Sequence, residues 1–323
     1  MNSHPLVSVI CLCYNHEKFV EEAMESVLTQ TYSQIEVIIV DDASTDQGVA
    51  VIKKMLSNIP ADQAGSIQTV FFPENLGNCK AFNRGLALAH GKYVIDFATD
   101  DVMLPERIEK QVKFFEQLDE SYGVVFTEAA YMDENGQHLY YHFQNKLSHL
   151  YPDKIPTGDV YAEVLSTYFI SAPTMMMKKK VLDELGGYDE QLAYEDFDFW
   201  VRSSRHYQYA FLDECLTKVR KTGQSMSARL YHPGDPQLYC TYLVCQKAVK
   251  LNKSPDEQKA LVKRIKYEFR QAVFSDNKKE ADLFFDLLRT VGRVQGVYKV
   301  YYGLSKFPVK LRWWRNLYLK VRY

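Results

Sequence analysis

Four short apolar runs punctuate the first hundred residues, and a polar cluster follows each. Leu6–Cys13 (LVSVICLC), Ile35–Val40 (IEVIIV), Thr69–Phe72 and Tyr93–Phe97 have the length and β-branched content of buried strands. The stretches between them have helical spacing. Glu17–Gln30 places Phe19, Val20, Ala23, Met24, Val27 and Leu28 on one face. Val49–Leu56 is a second helix, and Cys79–Ala89 a third that Gly91 stops. Strands apolar on both faces, alternating with helices, predict a parallel sheet covered by helices. Ligands of such sheets bind outside the carboxyl ends of the strands. Those ends carry Tyr14-Asn15, Asp41-Asp42, Asn75 and Asp100-Asp101.

The stretch Gly91–Arg107 (GKYVIDFATDDVMLPER) concentrates the question. A buried strand that ends in paired carboxylates can hold a hard divalent cation together with substrate phosphates. Asp100 and Asp101 could equally cap the helix that starts near Leu104. Four polar clusters on one sheet edge favour the ligand-binding reading.

Downstream, residues 108–117 read as an amphipathic helix and Val124–Phe126 as a strand. The turn Asp133-Glu134-Asn135-Gly136 predicts a hairpin between residues 129–132 and 138–141. Phe143–Gly158 looks irregular. A Met-rich strand, Thr174–Met177, reads as core filler, and Lys178–Lys180 as a solvated helix start. Tyr194–Arg202 is a helix start with acids in its first turn, which the helix dipole favours. Asp198 and Arg202 have ion-pair spacing, and Trp200 suits either core packing or a sugar-stacking role. Asp235–Leu251, Pro255–Phe274 and Lys278–Val291 are helical. The predicted division is one α/β domain over residues 1–230 and a helical, basic region over 231–323.

Composition adds an asymmetry. The net charge is −2, yet Leu287–Tyr323 holds nine Lys or Arg and no acid, which leaves −11 on the residues before it. An acidic body argues against general nucleic-acid binding. In Val294–Tyr323 the cations alternate with Trp313, Trp314 and several tyrosines, a mixture suited to an anionic membrane interface. Docking on the acidic body or on a second subunit, as in a homodimer, is the competing role. The six cysteines lack zinc or disulfide-framework spacing. A reduced cytoplasmic compartment is expected, with no signal peptide or spanning helix evident.

Three stretches in order carry a resemblance: VSVICLCYNHEKFVEEAMESVLTQTYSQIEVIIVDDASTD, ENLGNCKAFNRGLALAHGKYVIDFATDD and ISAPTMMMKKKVLDELGGYDEQLAYEDFDFWVR. Together they resemble the glycosyltransferase family 2 enzymes, over about residues 6–230. The resemblance implies a GT-A fold, a Rossmann-like mixed sheet flanked by helices. It also implies an inverting, hexosyltransferase-type reaction from a nucleotide-sugar donor, UDP-linked by expectation. The acceptor would be a lipid-linked glycan in bacterial surface polysaccharide synthesis, with the enzyme peripheral on the inner face of the plasma membrane. By the same resemblance, Tyr14, Asn15 and Asp42 surround the nucleobase and ribose. Asp100 and Asp101 hold ribose and a Mg²⁺ or Mn²⁺ on the diphosphate. Asp196 is the catalytic base, with Glu195 supporting it. These residue types suit the chemistry: a cation stabilises a diphosphate leaving group, and a carboxylate takes the acceptor hydroxyl's proton.

Three positions depart from the family pattern. Ala98 stands where many members have an acid. Phe82 precedes Asn83 where members often carry Arg, which shifts the expected phosphate contact to Lys80 or Arg84, beside Asn83. Thr222 stands near where a His is common, so Arg220 or Lys221 becomes the candidate cation. These departures motivate the alternative of a non-catalytic nucleotide-sugar-binding assembly subunit. A nucleotidyltransferase would need a glycine-rich basic loop after the first strand, and Cys13-Tyr14-Asn15 is not one.

Overall fold

The computed structural model describes residues 4–59, 65–223, 231–292, 294, 296–306 and 311. They form two compact units. The first is Met1–Val160, Phe169–Gln191 and Arg202–Thr222; the second is Tyr161–Tyr168, Leu192–Val201 and Gly223–Tyr323. The division is therefore not one cut after residue 230, because two short segments from inside the expected first domain pack with the helical unit. Composition along the chain could not show this, since the partners of those segments lie far off in sequence.

The first unit is built on a sheet of nine strands among the described residues. β1 (Val7–Cys13), β2 (Ile35–Asp41), β3 (Ile67–Phe71) and β4 (Tyr93–Ala98) are parallel, in the order β3-β2-β1-β4. Every residue of β1 is buried, which explains why all but Ser8 are apolar: helices cover both faces. These helices are α1 (Val20–Leu28), α2 (Gly48–Ser57) and α3 (Asn78–Leu86). α3 comes very close to β1 at Gly85, where a β-carbon would lie 2.5 Å from Ile10 Cγ2.

The sheet then becomes mixed. β5 (Val102–Met103), α4 (Arg107–Phe115), β6 (Tyr122–Met132) and β7 (His138–Tyr141) follow β4, and β6 and β7 form the expected hairpin. β8 (Met176–Lys178) runs antiparallel to both β4 and β6. After it come α6 (Lys179–Leu185) and β9 (Gln208–Arg220), which pairs parallel with β6 and antiparallel with β5. β9 was not legible as a strand, because its burial does not alternate and register shifts interrupt its pairing with β6. Met175, Met176 and Met177 fill the core as expected. Lys178 is no solvated end: its side chain is 7% exposed and Nζ donates to Glu120 at 2.9 Å.

The second unit contains α5 (Tyr161–Ser166), the Asp196–Val201 part of α7 (Asp196–Ser203), α8 (Pro236–Leu251), α9 (Pro255–Phe274), α10 (Lys278–Val291) and α11 (Gly296–Lys306). The starts of α8 and α9 were easy to place. Asp235 caps α8 by accepting from Gln237 N, and Ser254 with Glu257 forms a capping box on α9, each followed by Pro at the first turn. Its core holds an ion pair, Arg264 to Glu268 at 3.1 Å, with the guanidinium 3.8 Å from the Tyr168 ring centroid. Arg264 Nε also donates to Leu165 O, tying α5 to α9. Trp200 is 3% exposed and sits 6.0 Å from Tyr168, so core packing accounts for it. No described helix is long and apolar enough to cross a membrane.

Candidate active site

The carboxyl ends of β1, β2 and β4 bring three polar clusters of the first unit together. Strand pairing sets this up: Cys13 lies opposite Asp41, and Leu12 opposite Ala98. The next residues on each strand therefore emerge side by side. Asp42 N donates to Cys13 O at 2.9 Å, and Thr99 N to Leu12 O at 2.9 Å.

Asn15 and Ala43 are held at positive φ, 58° and 60°. Such backbone is strained for residues other than glycine and persists only where surrounding bonds impose it. Here the bonds are visible. Asn15 N donates to Ser44 Oγ at 2.9 Å, and Thr45 N to Asn15 Oδ1 at 2.8 Å. Ser44 in turn donates from N and Oγ to the Asp41 carboxylate. The result is a braced edge beside Tyr14, a residue that is 45% exposed.

Asp42 is 6% exposed and organises the loop after β3. Its two carboxylate oxygens accept from Leu76 N at 2.7 Å and Gly77 N at 2.8 Å, while Asn75 Nδ2 donates to its carbonyl. Each oxygen retains a lone pair for a donor on a ligand. Asp42 thus fixes the Asn75–Gly77 turn, a role that sequence reading did not assign to it.

Asp100 and Asp101 differ sharply. The Asp100 side chain is 16% exposed, with Oδ2 3.9 Å from His16 Nε2. Asp101 is 3% exposed and accepts from Arg220 N at 2.8 Å. Burial pushes the Asp101 carboxyl well up and the Asp100 charge adds to this, while the Arg220 N–H and the Arg107 and Arg220 charges oppose it. Arg107 is fully buried, its guanidinium lowered by burial to about 9 and held up in part by Asp101. His16 and Arg107 were missed by sequence reading. His16 Nδ1 bonds Thr99 Oγ1 at 2.9 Å, and Thr99 Oγ1 donates to Leu12 O. His16 could have been suspected from its place directly after Tyr14-Asn15; nothing local flagged Arg107.

Arg220 does not serve as an open cation for a diphosphate. It is 5% exposed, and its guanidinium donates to the carbonyls of Asp100, Asp133 and Glu134 and to the Glu22 carboxylate. It locks the Asp100 backbone in place. Lys221 and Thr222 are described, whereas Ser225-Met226-Ser227 lies outside the described residues.

Asn83 on α3 makes a set of bonds of its own. Its amide is occupied within the protein: Nδ2 donates to Tyr188 O and Glu190 Oε1, and Oδ1 accepts from Tyr188 N. Phe82 stacks on Tyr188 at 4.1 Å, and Tyr188 Oη donates to Asp96. Together these lock the Gly186-Gly187 turn onto α3, with Asn83 as the clamp. Gly187 has φ +78°, and a β-carbon there would collide with the Asn83 side chain. Lys80 and Arg84 are exposed on α3.

The parallel sheet with a polar carboxyl edge, a partly exposed acid and a strained loop pair suits a nucleotide-bearing ligand. The profile of glycosyl transferase family 2 matches residues 8–186, more than half of the chain. The chain belongs to glycosyl transferase family 2. An uncharacterized glycosyltransferase of Methanocaldococcus jannaschii is 32% identical over 67% of this chain and 71% of its own length. The putative glycosyltransferase EpsE of Bacillus subtilis is 31% identical over 76% of this chain and 84% of its own. Against longer relatives the chain spans less, 31% of an uncharacterized glycosyltransferase of Rickettsia bellii. Among solved structures, S. aureus TarS in complex with UDP-GlcNAc superposes with a TM-score of 0.66 at 17% identity, over 89% of this chain and 84% of that one. The fold is thus that of the GT-A glycosyltransferases.

In the second unit, Asp196 opens α7 and is half-buried, with Glu195 beside it. Glu195 O accepts from Phe199 N, continuing the first turn. Asp198 is 1% exposed and its carboxylate takes Lys247 Nζ at 2.5 Å. Arg202 donates to the carbonyls of Leu185 and Gly187. Each member of the expected Asp198–Arg202 pair therefore has a tie elsewhere.

Proposed function

We propose that this glycosyltransferase moves a sugar, with inversion, from a nucleoside diphosphate donor to a hydroxyl of a lipid-linked glycan. The observation that carries the donor assignment is the meeting of Tyr14-Asn15, Asp42 and Asp100 at one strand edge in a family 2 chain. Tyr14 stacks against the base, Asn15 and Asp42 border the nucleoside, and Lys80 lies on α3 for the phosphates. Two structural relatives were solved with nucleotide sugars: TarS with UDP-GlcNAc, and a Pyrobaculum calidifontis mannosyltransferase with GDP-Man and Mn²⁺. UDP is the first nucleotide to test here.

A divalent cation fits the acid pair in a limited way. No group of three His, Cys, Asp or Glu side chains converges among the described residues. Asp100 offers the accessible carboxylate, and Asp101 is buried, with Arg220 N donating to its Oδ1. Asp100 would hold Mg²⁺ or Mn²⁺ mainly when the donor diphosphate completes the shell, and a cation there would draw Asp101 to its ionised form. Such a cation neutralises charge on the departing diphosphate.

Asp196 takes the proton from the acceptor hydroxyl as it attacks, and Glu195 supports it. Asp196→Asn should lower kcat at least about a hundredfold, the usual worth of general-base catalysis, with UDP affinity unchanged. Transfer at the wild-type rate in that variant would remove Asp196 from the mechanism. The donor is found by thermal shift and hydrolysis across a panel of nucleotide sugars, with and without Mn²⁺. The basic, aromatic C-terminal sequence supports a peripheral position on the inner face of the plasma membrane, where a lipid-linked acceptor would be reached.

A further inference from the structure

The second unit carries a basic cavity that no step of the transfer uses. Lys259, Lys263, Lys266 and Arg270 line it from α9, with Val262 and Tyr298 between them. Its volume is about 560 Å³, and no acid lines it among the described residues. The four cations are spaced by four, three and four residues, so they share one helix face. At 1.5 Å per residue the stripe is roughly 16 Å long. Like charges at this spacing repel. Lys259 is relieved by Asp256 at 2.7 Å. For Lys263, Lys266 and Arg270 the structure gives no carboxylate partner among the described residues. Lys266 Nζ instead sits 5.3 Å over the Tyr298 ring.

A second feature adjoins it on α11, the helix that supplies Tyr298. Val297, Val300 and Leu304 are 46%, 60% and 38% exposed. Their spacing of three and four residues forms a continuous apolar stripe. The opposite face is anchored by Tyr302, which stacks on Phe285 at 3.9 Å, and Tyr301 at the stripe's edge lies against Phe274. α11 is therefore held firmly while its apolar stripe faces outward. Exposed aliphatic groups beside a row of unpaired cations and a tyrosine match the layered chemistry of an anionic bilayer surface.

We infer that the α9–α11 face is a membrane-docking surface, in which the lysine-lined cavity takes the phosphate of an anionic phospholipid headgroup and Val297, Val300 and Leu304 enter the interfacial layer. This deepens, and rests on, the proposed peripheral membrane position. It differs in placing recognition on α9 and α11 and not on the basic sequence beyond them.

The test is vesicle flotation of the full chain. Phosphatidylcholine vesicles with about one-third phosphatidylglycerol are compared with pure phosphatidylcholine, the anionic fraction being what a polybasic face senses. Wild type should float with the anionic vesicles only. Lys263→Glu/Lys266→Glu should cut partitioning by about 25-fold or more, from roughly fivefold per charge near an anionic surface. Val300→Asp should also lower it, and donor hydrolysis should stay at the wild-type level in both variants. If wild type floats and both variants float equally well, the cavity inference falls while the tail-based reading stands. If wild type binds neither vesicle, both fall. Wild-type flotation abolished by inorganic phosphate at millimolar level would assign the cavity to a soluble anion and overturn the lipid assignment. A lipid-free dimer that Val300→Asp splits, with flotation unchanged, would assign the stripe to a second copy and overturn it too.

Discussion

Asp42 offers a sharp test of how the donor edge is built. Its two carboxylate oxygens accept from Leu76 N and Gly77 N at 2.7 and 2.8 Å, and the residue is 6% exposed. Asp42→Asn keeps the shape but replaces one acceptor with an NH₂ donor. One backbone N–H then faces another donor in a nearly dry site. A hydrogen bond to a charged group contributes about 1.5–3 kcal/mol, and a buried unsatisfied donor costs a comparable amount. The other bond persists in neutral form. The expected loss is therefore about 2–4 kcal/mol, read as a lower urea midpoint with an unchanged slope. The loop's freedom should also weaken UDP binding at least about tenfold in calorimetry, the equivalent of roughly 1.4 kcal/mol. Asp42→Ala is the control: it removes the clash, so the two N–H groups can reach water, and it should destabilise no more than Asn. Asp42→Asn with unaltered stability would show that the carboxylate does not hold the Asn75–Gly77 turn. Lost stability with unaltered UDP affinity would separate the turn from donor binding.

Two further outcomes follow from buried groups of the first unit. His142 is 3% exposed, Nε2 donates to Phe169 O, and burial lowers the imidazole from 6.5 to about 4. The unfolded chain takes up this proton first as pH falls, so the stability is complete above pH 6.5 and is lost between 6.5 and 4, by about 3 kcal/mol. Urea melts of His142→Gln should lack this share of the acid loss; an identical pH profile would contradict the assignment. At Gly85, a β-carbon 2.5 Å from Ile10 Cγ2 forces α3 away from β1. Gly85→Ala should destabilise by about 1–2 kcal/mol despite the gain in helix propensity, and a raised melting temperature would show that the close approach is absent.

The elements that could be read directly are those whose cause is local. β1, β2 and β4 are apolar on both faces because each is an inner strand of a covered sheet, and that leaves its mark on the strand's own residues. α8 and α9 carry their start signals, Asp235-Pro236 and Ser254-Pro255 with Glu257, within one turn. The edge where a nucleotide would bind follows from strand direction alone, so Tyr14, Asn15, Asp42 and Asp100 could be named. β9 escaped because it is held by β5 and β6 and not by its own pattern.

The chain's own order of residues thus determined the parallel core, the family and the acids at the strand ends. The tertiary structure decided what each polar group at that edge does. Asn83 meets Tyr188 at a separation of 105 residues, Asp101 meets Arg220 at 119, and Asp42 meets Leu76 at 34. A side chain becomes clamp, brace or ligand according to which partners reach it in space. Local periodicity records which face is buried. It does not record what lies across that face, and for Asp100 and Asp101, adjacent in sequence, that difference leaves one carboxylate accessible and seals the other inside.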